Sequence, residues 1–325
     1  MRRTPSLVSI LMPCFNAAPY VGAAVRSALD QTWREIEIIV INDGSTDSSG
    51  EILDSIRDSR VTVVHQDNAG QCVAANRALR RSSGEYIKFF DADDLIERQT
   101  IELQVARLAG NDQAVASCEW GRFYNDDLST FRLNPEGVWR NMDPIEWLLE
   151  AWHNARPMMQ CALWLIPRAV LRSAGEWDER LTLINDFEFF TRVLCHSSEV
   201  RFTPGGRVYY RSGVRGSLSG RKDRKATESA YLSITGATSQ LLNRRSDSSA
   251  RMVCANILQD FIYSCYPEHP DLRKSAESRI REFGGSRLSP DGPPGFHKLR
   301  RLVGWKMARR IERRLGRQRA GGSVT

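Results

Sequence analysis

The sequence predicts an α/β protein: a mainly parallel central sheet flanked by helices, followed by a helical C-terminal extension. Three observations carry that prediction. Leu7–Met12, Ile36–Ile41, Val61–His65 and Tyr86–Phe90 are short apolar runs rich in β-branched and aromatic residues, as in strands buried on both faces. Helix-like stretches separate them at Tyr20–Gln31, Asp47–Arg57 and Gly70–Ser82, an alternation that produces βαβ units. The chain has 325 residues, 41% of them hydrophobic, so it exceeds the ~100–200 residues of one domain and can bury a large core beside an appendage.

The second half is less regular. Val115–Tyr124, Thr130–Leu133 and Val200–Arg211 read as extended, Pro144–Trp152 and Asp186–Cys195 as helical. From about Asp223 to Phe283 the pattern is helical and polar, and the proline- and glycine-containing stretch Ser286–Gly295 reads as a linker. Seven cysteines at 14, 72, 118, 161, 195, 254 and 265 form no Cys-x-x-Cys pair, so they are expected as reduced, buried thiols rather than zinc or redox sites. The apolar run Leu7–Met12 stops at Pro13, too short for a signal-peptide core. No stretch of eighteen apolar residues occurs, so no membrane span is expected. The chain is expected in the cytoplasm, free or peripheral on the cytoplasmic face of a membrane.

The charge is unevenly placed. Between His297 and Arg319 ten Lys/Arg residues face the single acid Glu312, a local excess larger than the net charge of +7. Leu299, Leu302, Val303, Met307, Ile311 and Leu315 recur there at three- and four-residue spacing with Trp305. A basic amphipathic helix of this kind suits an anionic membrane surface over residues 297–319. The alternatives are a terminal helix packed on the main domain and, weakest, a nucleic-acid contact.

In a parallel sheet, ligands bind at the carboxyl ends of the strands, which singles out three segments. Asn42-Asp43-Gly44-Ser45-Thr46-Asp47 is a strand-to-helix turn in which Ser45 or Thr46 could cap the helix, while Asp43 could accept a base N–H. Asp91-Ala92-Asp93-Asp94 places three carboxylates within four residues, and they repel one another unless a cation neutralises them. Mg2+ or Mn2+ prefers a few carboxylates together with phosphate oxygens. The other reading is an acidic helix start, with Asp94 capping Leu95–Leu108. Pro13-Cys14-Phe15-Asn16 ends the first strand.

Four blocks in order, Val8–Asn16, Asn42–Asp47, Asn68-Ala69-Gly70 with Ala74–Leu79, and Gly84–Asp94, resemble those of the family 2 inverting glycosyltransferases with the GT-A (Rossmann-like) fold. The likeness spans about Ser6 to Ser219, densest before residue 100. It implies a GT-A domain over 1–222, with a nucleotide-binding half 1–110 and an acceptor half 111–222. A helical extension would cover 223–285, and the linker and basic tail 286–325. Matched position by position, Pro13, Asn16 and Asp43 would border the nucleoside, Asp91 the ribose or sugar, and Asp93 the metal, Mn2+ or Mg2+. Asn76 and Arg77 could help close the donor pocket or serve as helix surface and packing. Asn185-Asp186 stands where the family usually has Glu-Asp, which makes Asp186 the implied catalytic base; the alternatives are a helix N-terminal acid at Asp186 or a shift of the role to Glu188. After Tyr209-Tyr210-Arg211 the family's pyrophosphate-binding His is missing, and Arg215 stands nearest its place.

The resemblance implies transfer of one sugar, with inversion, from a nucleotide diphosphate sugar, UDP by default. The acceptor would be a saccharide or a lipid-linked saccharide, in cell-surface polysaccharide or glycolipid synthesis. Two other readings remain open from the sequence. One is nucleotidyl transfer, for which neither a Gly-rich phosphate loop nor a Walker-type lysine is found. The other is a non-catalytic nucleotide-sugar-binding protein.

Overall fold

The computed structural model describes residues 6–213, 221 and 223–321, with side chains to residue 314. Four parallel strands form the centre: β1 (Val8–Cys14), β2 (Ile36–Asp43), β3 (Val61–Gln66) and β4 (Tyr86–Phe89). They lie in the order β3-β2-β1-β4, and β8 (Ile166–Pro167) closes the edge beside β4 in the antiparallel sense. Leu11 sits opposite Ile39 on one side and Phe89 on the other. Burial of β1 and β2 on both faces explains why their runs are continuous rather than alternating.

The crossover helices are α1 (Val21–Leu29), α2 (Ser49–Asp54) and α3 (Gln71–Arg81). α1 buries Val21, Ala24, Val25 and Ala28, the three- and four-residue spacing of a single apolar stripe. The turn into α2 differs from expectation, because neither Ser45 nor Thr46 caps it. Ser45 Oγ accepts from the Asn16 amide, and Asp47 Oδ1 accepts from the Ser49 amide.

A second correction concerns Leu95–Leu108, which is not one helix. Leu95–Ile96 is a short strand, β5, and helix α4 begins only at Thr100 and runs to Leu108. The reason is tertiary: β5 pairs with Val208 and Tyr209 of β9 (Glu199–Ser212). A second sheet follows, in the order β5-β9-β6-β7, with β6 at Ala114–Tyr124 and β7 at Asp127–Leu133. The β6–β7 hairpin turns through Asn125 and Asp126, both at positive φ, as two-residue hairpin loops require.

The chain continues with α5 (Pro144–Trp152), α6 (Arg168–Ala174) and α7 (Asn185–Cys195). Asp143 caps α5 by accepting from the Ile145 and Glu146 amides, and Pro144 fills the first helical position. The helical, polar segment resolves into α8 (Arg224–Arg244), α9 (Ser248–Cys265) and α10 (Pro270–Glu282). Asp223 and Asp247 cap the first two through the Ala226 and Ala250 amides. The stretch expected as a linker lies against α9: Ser286 Oγ donates to Asn256, and Leu288 carbonyl accepts from the Tyr263 hydroxyl. Helix α11 (Pro294–Gly321) follows, broken at Gly304. No helix among the described residues is long and apolar enough to cross a membrane. All seven cysteines are buried and unpaired.

Lys88 of β4 has no solvent exposure. Its ammonium donates to Gln104 Oε1 of α4 at 2.9 Å and to the Ala162 carbonyl at 2.6 Å, tying three segments together. Burial lowers its proton affinity. Lys88→Ala would leave a cavity and two acceptors without donors. It is expected to cost about 3–5 kcal/mol in a denaturant titration; a loss under about 1 kcal/mol would refute the tie.

Candidate active site

The parallel order brings the ends of β1, β2, β3 and β4 to one edge of the sheet, and the expected segments meet there. Asn16, at φ 50°, accepts the Thr46 amide on its Oδ1 at 2.8 Å. The Ala17 and Ala18 amides donate to Ser49 Oγ and Asp47 Oδ2, so the loops after β1 and β2 are knitted together. Pro13 lies within β1, paired with Ile41.

Asp43 is buried, and its carboxylate already has three protein donors. Oδ1 accepts from the Ala69 amide at 2.9 Å and from Gln66 Nε2 at 2.6 Å; Oδ2 accepts from the Gly70 amide at 2.9 Å. A carboxylate offers about four lone-pair sites, so one remains for an incoming N–H. Arg77 donates to Gln66 Oε1 at 2.8 Å and so reaches Asp43 through the Gln66 amide. Asn76 turns inward instead. Its side chain donates to the Trp177 carbonyl and to Glu179, and accepts the Trp177 amide. Of its two expected roles the geometry realises packing, because those bonds fasten the loop after α6.

Beyond β4 the carboxylates crowd together. Asp91 accepts from Gln71 Nε2 at 3.3 Å and from Gln160 Nε2 at 3.2 Å. Asp94, 1% exposed, accepts from the same Gln160 amide at 2.6 Å and from the Arg211 backbone amide at 2.8 Å. Asp94 therefore joins β4 to β9 and caps no helix. Arg211 donates through Nε to the Asp93 carbonyl, and its guanidinium lies 4.6 Å from the rings of both Tyr20 and Phe123. Burial raises the proton affinity of all three acids. Asp93 is pushed up to about 6, with the Asp91 charge adding to burial, and Asp94 is raised well above the usual carboxylate range by burial and by Asp93 and Asp91.

Asp186 stands in the first turn of α7, and burial and the charge of Asp91 hold its proton affinity well above normal. Its Oδ1 is buried with no hydrogen-bond partner among the described residues. Glu188, the alternative base, is committed to Arg192 by two bonds of 2.7 and 2.9 Å. Asn185 donates to Gln71 Oε1 and to Cys72 Sγ, so an amide chain runs from α7 through Gln71 to Asp91. Aromatic packing sets the approach: Trp177 stacks on Phe189 at 3.9 Å, and both meet Phe89 of β4 edge-on at 5.2 and 5.3 Å. Arg215 lies outside the described residues.

The residue before α7, Ile184, adopts a left-handed conformation at φ 47° and ψ 33°, which costs a β-branched residue about 1–3 kcal/mol. Helix α8 holds the loop in place. Ser229 Oγ accepts from the Thr182 and Leu183 amides at 2.8 and 3.0 Å, and Ser233 Oγ donates to the Ile184 carbonyl at 2.6 Å.

Among the described residues no group of three or more His, Cys, Asp or Glu side chains could hold a metal ion by itself. The acids still suit a hard divalent cation, which commonly takes one or two carboxylates and completes its shell with substrate phosphates. Crowded carboxylates of raised proton affinity at Asp91, Asp93 and Asp94 are the feature such a cation would relieve.

The sequence model of glycosyl transferase family 2 matches residues 9–174, about half of the chain. The chain belongs to glycosyl transferase family 2. Family 2 relatives include Glycosyltransferase GlyG of Streptococcus pneumoniae, 39% identical over 126 residues, which is 38% of this chain and 41% of GlyG. The uncharacterized glycosyltransferase EpsJ of Bacillus subtilis is 29% identical over 211 residues, 63% of this chain and 61% of EpsJ. The chain thus spans about two fifths to three fifths of these relatives' lengths. Residues 1–349 of S. aureus TarS, solved in complex with UDP-GlcNAc, superpose with a TM-score of 0.65 at 16% identity, covering 85% of this chain and 80% of that one. The fold is GT-A: a central, mostly parallel sheet between helices.

The sequence did not point to Gln71, Gln160, Ser229 or Ser233. Only Gln160 left a trace, as a lone amide in the apolar run Met158–Leu165. Ser233→Ala is expected to lower kcat about tenfold, corresponding to about 1.4 kcal/mol of barrier, with donor affinity unchanged. Steady-state kinetics alongside calorimetric UDP binding would check this, and a change confined to affinity would contradict it.

Proposed function

We propose that the chain transfers a single sugar from a nucleotide diphosphate sugar to a hydroxyl acceptor with inversion, using Asp186 as general base. The observation that carries this reading is the Asp186 carboxylate, unpartnered at Oδ1 and held within the field of Asp91. Displacement in one step needs a carboxylate that takes the acceptor hydroxyl's proton as its oxygen bonds the anomeric carbon and the diphosphate departs on the opposite face. A side chain already bonded to an arginine, as Glu188 is, is poorly suited to that work.

On the donor side, Asp43 would accept from the base, Pro13 and Asn16 would border the nucleoside, and Asp91 would face the ribose or sugar. Mn2+ or Mg2+, held by Asp93 and by diphosphate oxygens, would supply charge neutralisation for the leaving group. Arg77 would steady Asp43 through Gln66, and Asn76 would hold the loop that carries Trp177. The TarS structures hold UDP and UDP-GlcNAc, which supports UDP as the nucleotide and uracil as its base. For the acceptor we favour a saccharide or lipid-linked saccharide of the cell surface, reached from the cytoplasmic side.

Two substitutions and a titration test this. Asp186→Asn is expected to lower transfer by about 10²–10⁴-fold while leaving Mn2+-dependent UDP binding intact; undiminished transfer would remove Asp186 from the mechanism. Asp93→Ala is expected to weaken Mn2+-dependent UDP binding by more than the ~10–100-fold that follows loss of a group merely orienting a ligand, and unchanged affinity would remove Asp93 as a ligand. A metal ligand must be deprotonated, and Asp93 takes its proton at about 6. At limiting Mn2+, UDP affinity should therefore be full above that pH and fall by about tenfold for each unit below it, with the midpoint moving lower as Mn2+ is raised. A flat profile between neutral pH and 5 would refute the assignment.

A further inference from the structure

Helix α11 divides its residues between two faces. At Gly304, φ 74° and ψ 157° break the helix and turn the chain. Three residues dock the two halves on the protein: Phe296 and Ala308 are buried, and Trp305 meets the rings of Tyr263 and Tyr266 at 4.8 and 5.0 Å. Arg309 covers Phe296, and Arg313 pairs with Glu268. The tail is thus packed, and its tryptophan is engaged inside the protein rather than free.

The corner beside Gly304 is different. Leu302 is 83% exposed, and Val303 and Met307 are each 46% exposed. Single exposed aliphatics need no explanation, but these three lie within six residues and flank one bend. Lys298, Arg301, Lys306, Arg310 and Arg314 are exposed around them, and among the described residues none of the five forms an ion pair.

We propose that this corner is a docking tip for an anionic lipid surface. Leu302, Val303 and Met307 enter the boundary between headgroups and acyl chains while the five cations contact lipid phosphates. Charge decides against a second copy of the chain, since self-association would set five cations against five. The aliphatic tip decides against nucleic acid, whose phosphates would satisfy the cations and leave Leu302 in water. Reversible attachment commonly takes two signals, an apolar insertion and a polybasic patch, and both are present here within seventeen residues.

The test uses the full chain in sedimentation with vesicles of phosphatidylcholine alone and of phosphatidylcholine mixed equally with phosphatidylglycerol. The chain is expected to pellet with the mixed vesicles only, and to be released as salt is raised. Each basic residue near such a surface strengthens partition by about fivefold, so the triple variant K298Q/R301Q/K306Q should weaken it by about a hundredfold. The triple variant L302S/V303S/M307S should weaken it by at least about tenfold. All six positions are exposed, so both variants should keep the parent's melting temperature and UDP affinity. Equal pelleting with both vesicle types, or unchanged pelleting of either variant, would overturn the proposal. So would a dimer in gel filtration that the aliphatic variant dissociates without any vesicle binding. Binding to duplex RNA that survives in the aliphatic variant, with no pelleting by vesicles, would assign the cations to nucleic acid instead.

Discussion

Asp91, Asp93, Asp94 and Asp186 gather beyond the end of β4, where burial raises the proton affinity of every one and the charge of neighbouring carboxylates adds to it at Asp93, Asp94 and Asp186. Carboxylates in that state need donors or a cation, and much of the surrounding architecture supplies donors. Gln160 gives one amide to both Asp91 and Asp94, Gln71 supports Asp91, and the Arg211 backbone amide closes on Asp94. Each of these comes from a different element, so satisfying the acids also joins the two sheets and the segment before Cys161. Asp186 Oδ1 is left over, with no partner among the described residues.

Aromatic packing provides the alignment that hydrogen bonds alone would not. Phe89 precedes Asp91 by two residues and Phe189 follows Asp186 by three, and Trp177 lies against both rings. Close-packed rings tolerate little displacement, so the separation between the acids after β4 and Asp186 of α7 is set by a rigid contact. Asn76 fixes the Trp177 backbone from the other side, so a buried asparagine holds the ring that packs on Phe89 and Phe189. The extension contributes in the same way, because Ser229 and Ser233 of α8 hold the loop before α7 in its left-handed turn.

Legibility followed the range of the interaction. The strands were readable because burial on both faces writes continuous apolar runs, and their ends differ from the observed ones by at most two residues. Asp43, Asp91 and Asp186 could be picked out as candidates because carboxylates just at the ends of strands or the start of a helix stand out against that background. Asp94 was misread as a cap, since a local rule was applied to a residue whose partners, Gln160 and Arg211, are distant in sequence. Likewise, the periodic stripe of the tail did not reveal that Gly304 breaks the helix, or that Trp305 would face inward while Leu302 faces out.

By itself, then, the sequence determined the α/β class, the four parallel strands with their acidic ends, and the likeness to family 2, because these depend on periodicity and on short contiguous blocks. Tertiary structure alone decided which amides answer which acids, which of Asp186 and Glu188 is paired with an arginine, and which face of α11 meets water. Those outcomes depend on side chains that approach only after the sheets have packed. Glu188 is paired because Arg192 lies one helical turn on, with its guanidinium also held by the Ala174 and Glu176 carbonyls, whereas Asp186 has no such neighbour for its Oδ1. Two acids of one turn are alike in the sequence and differ in the fold.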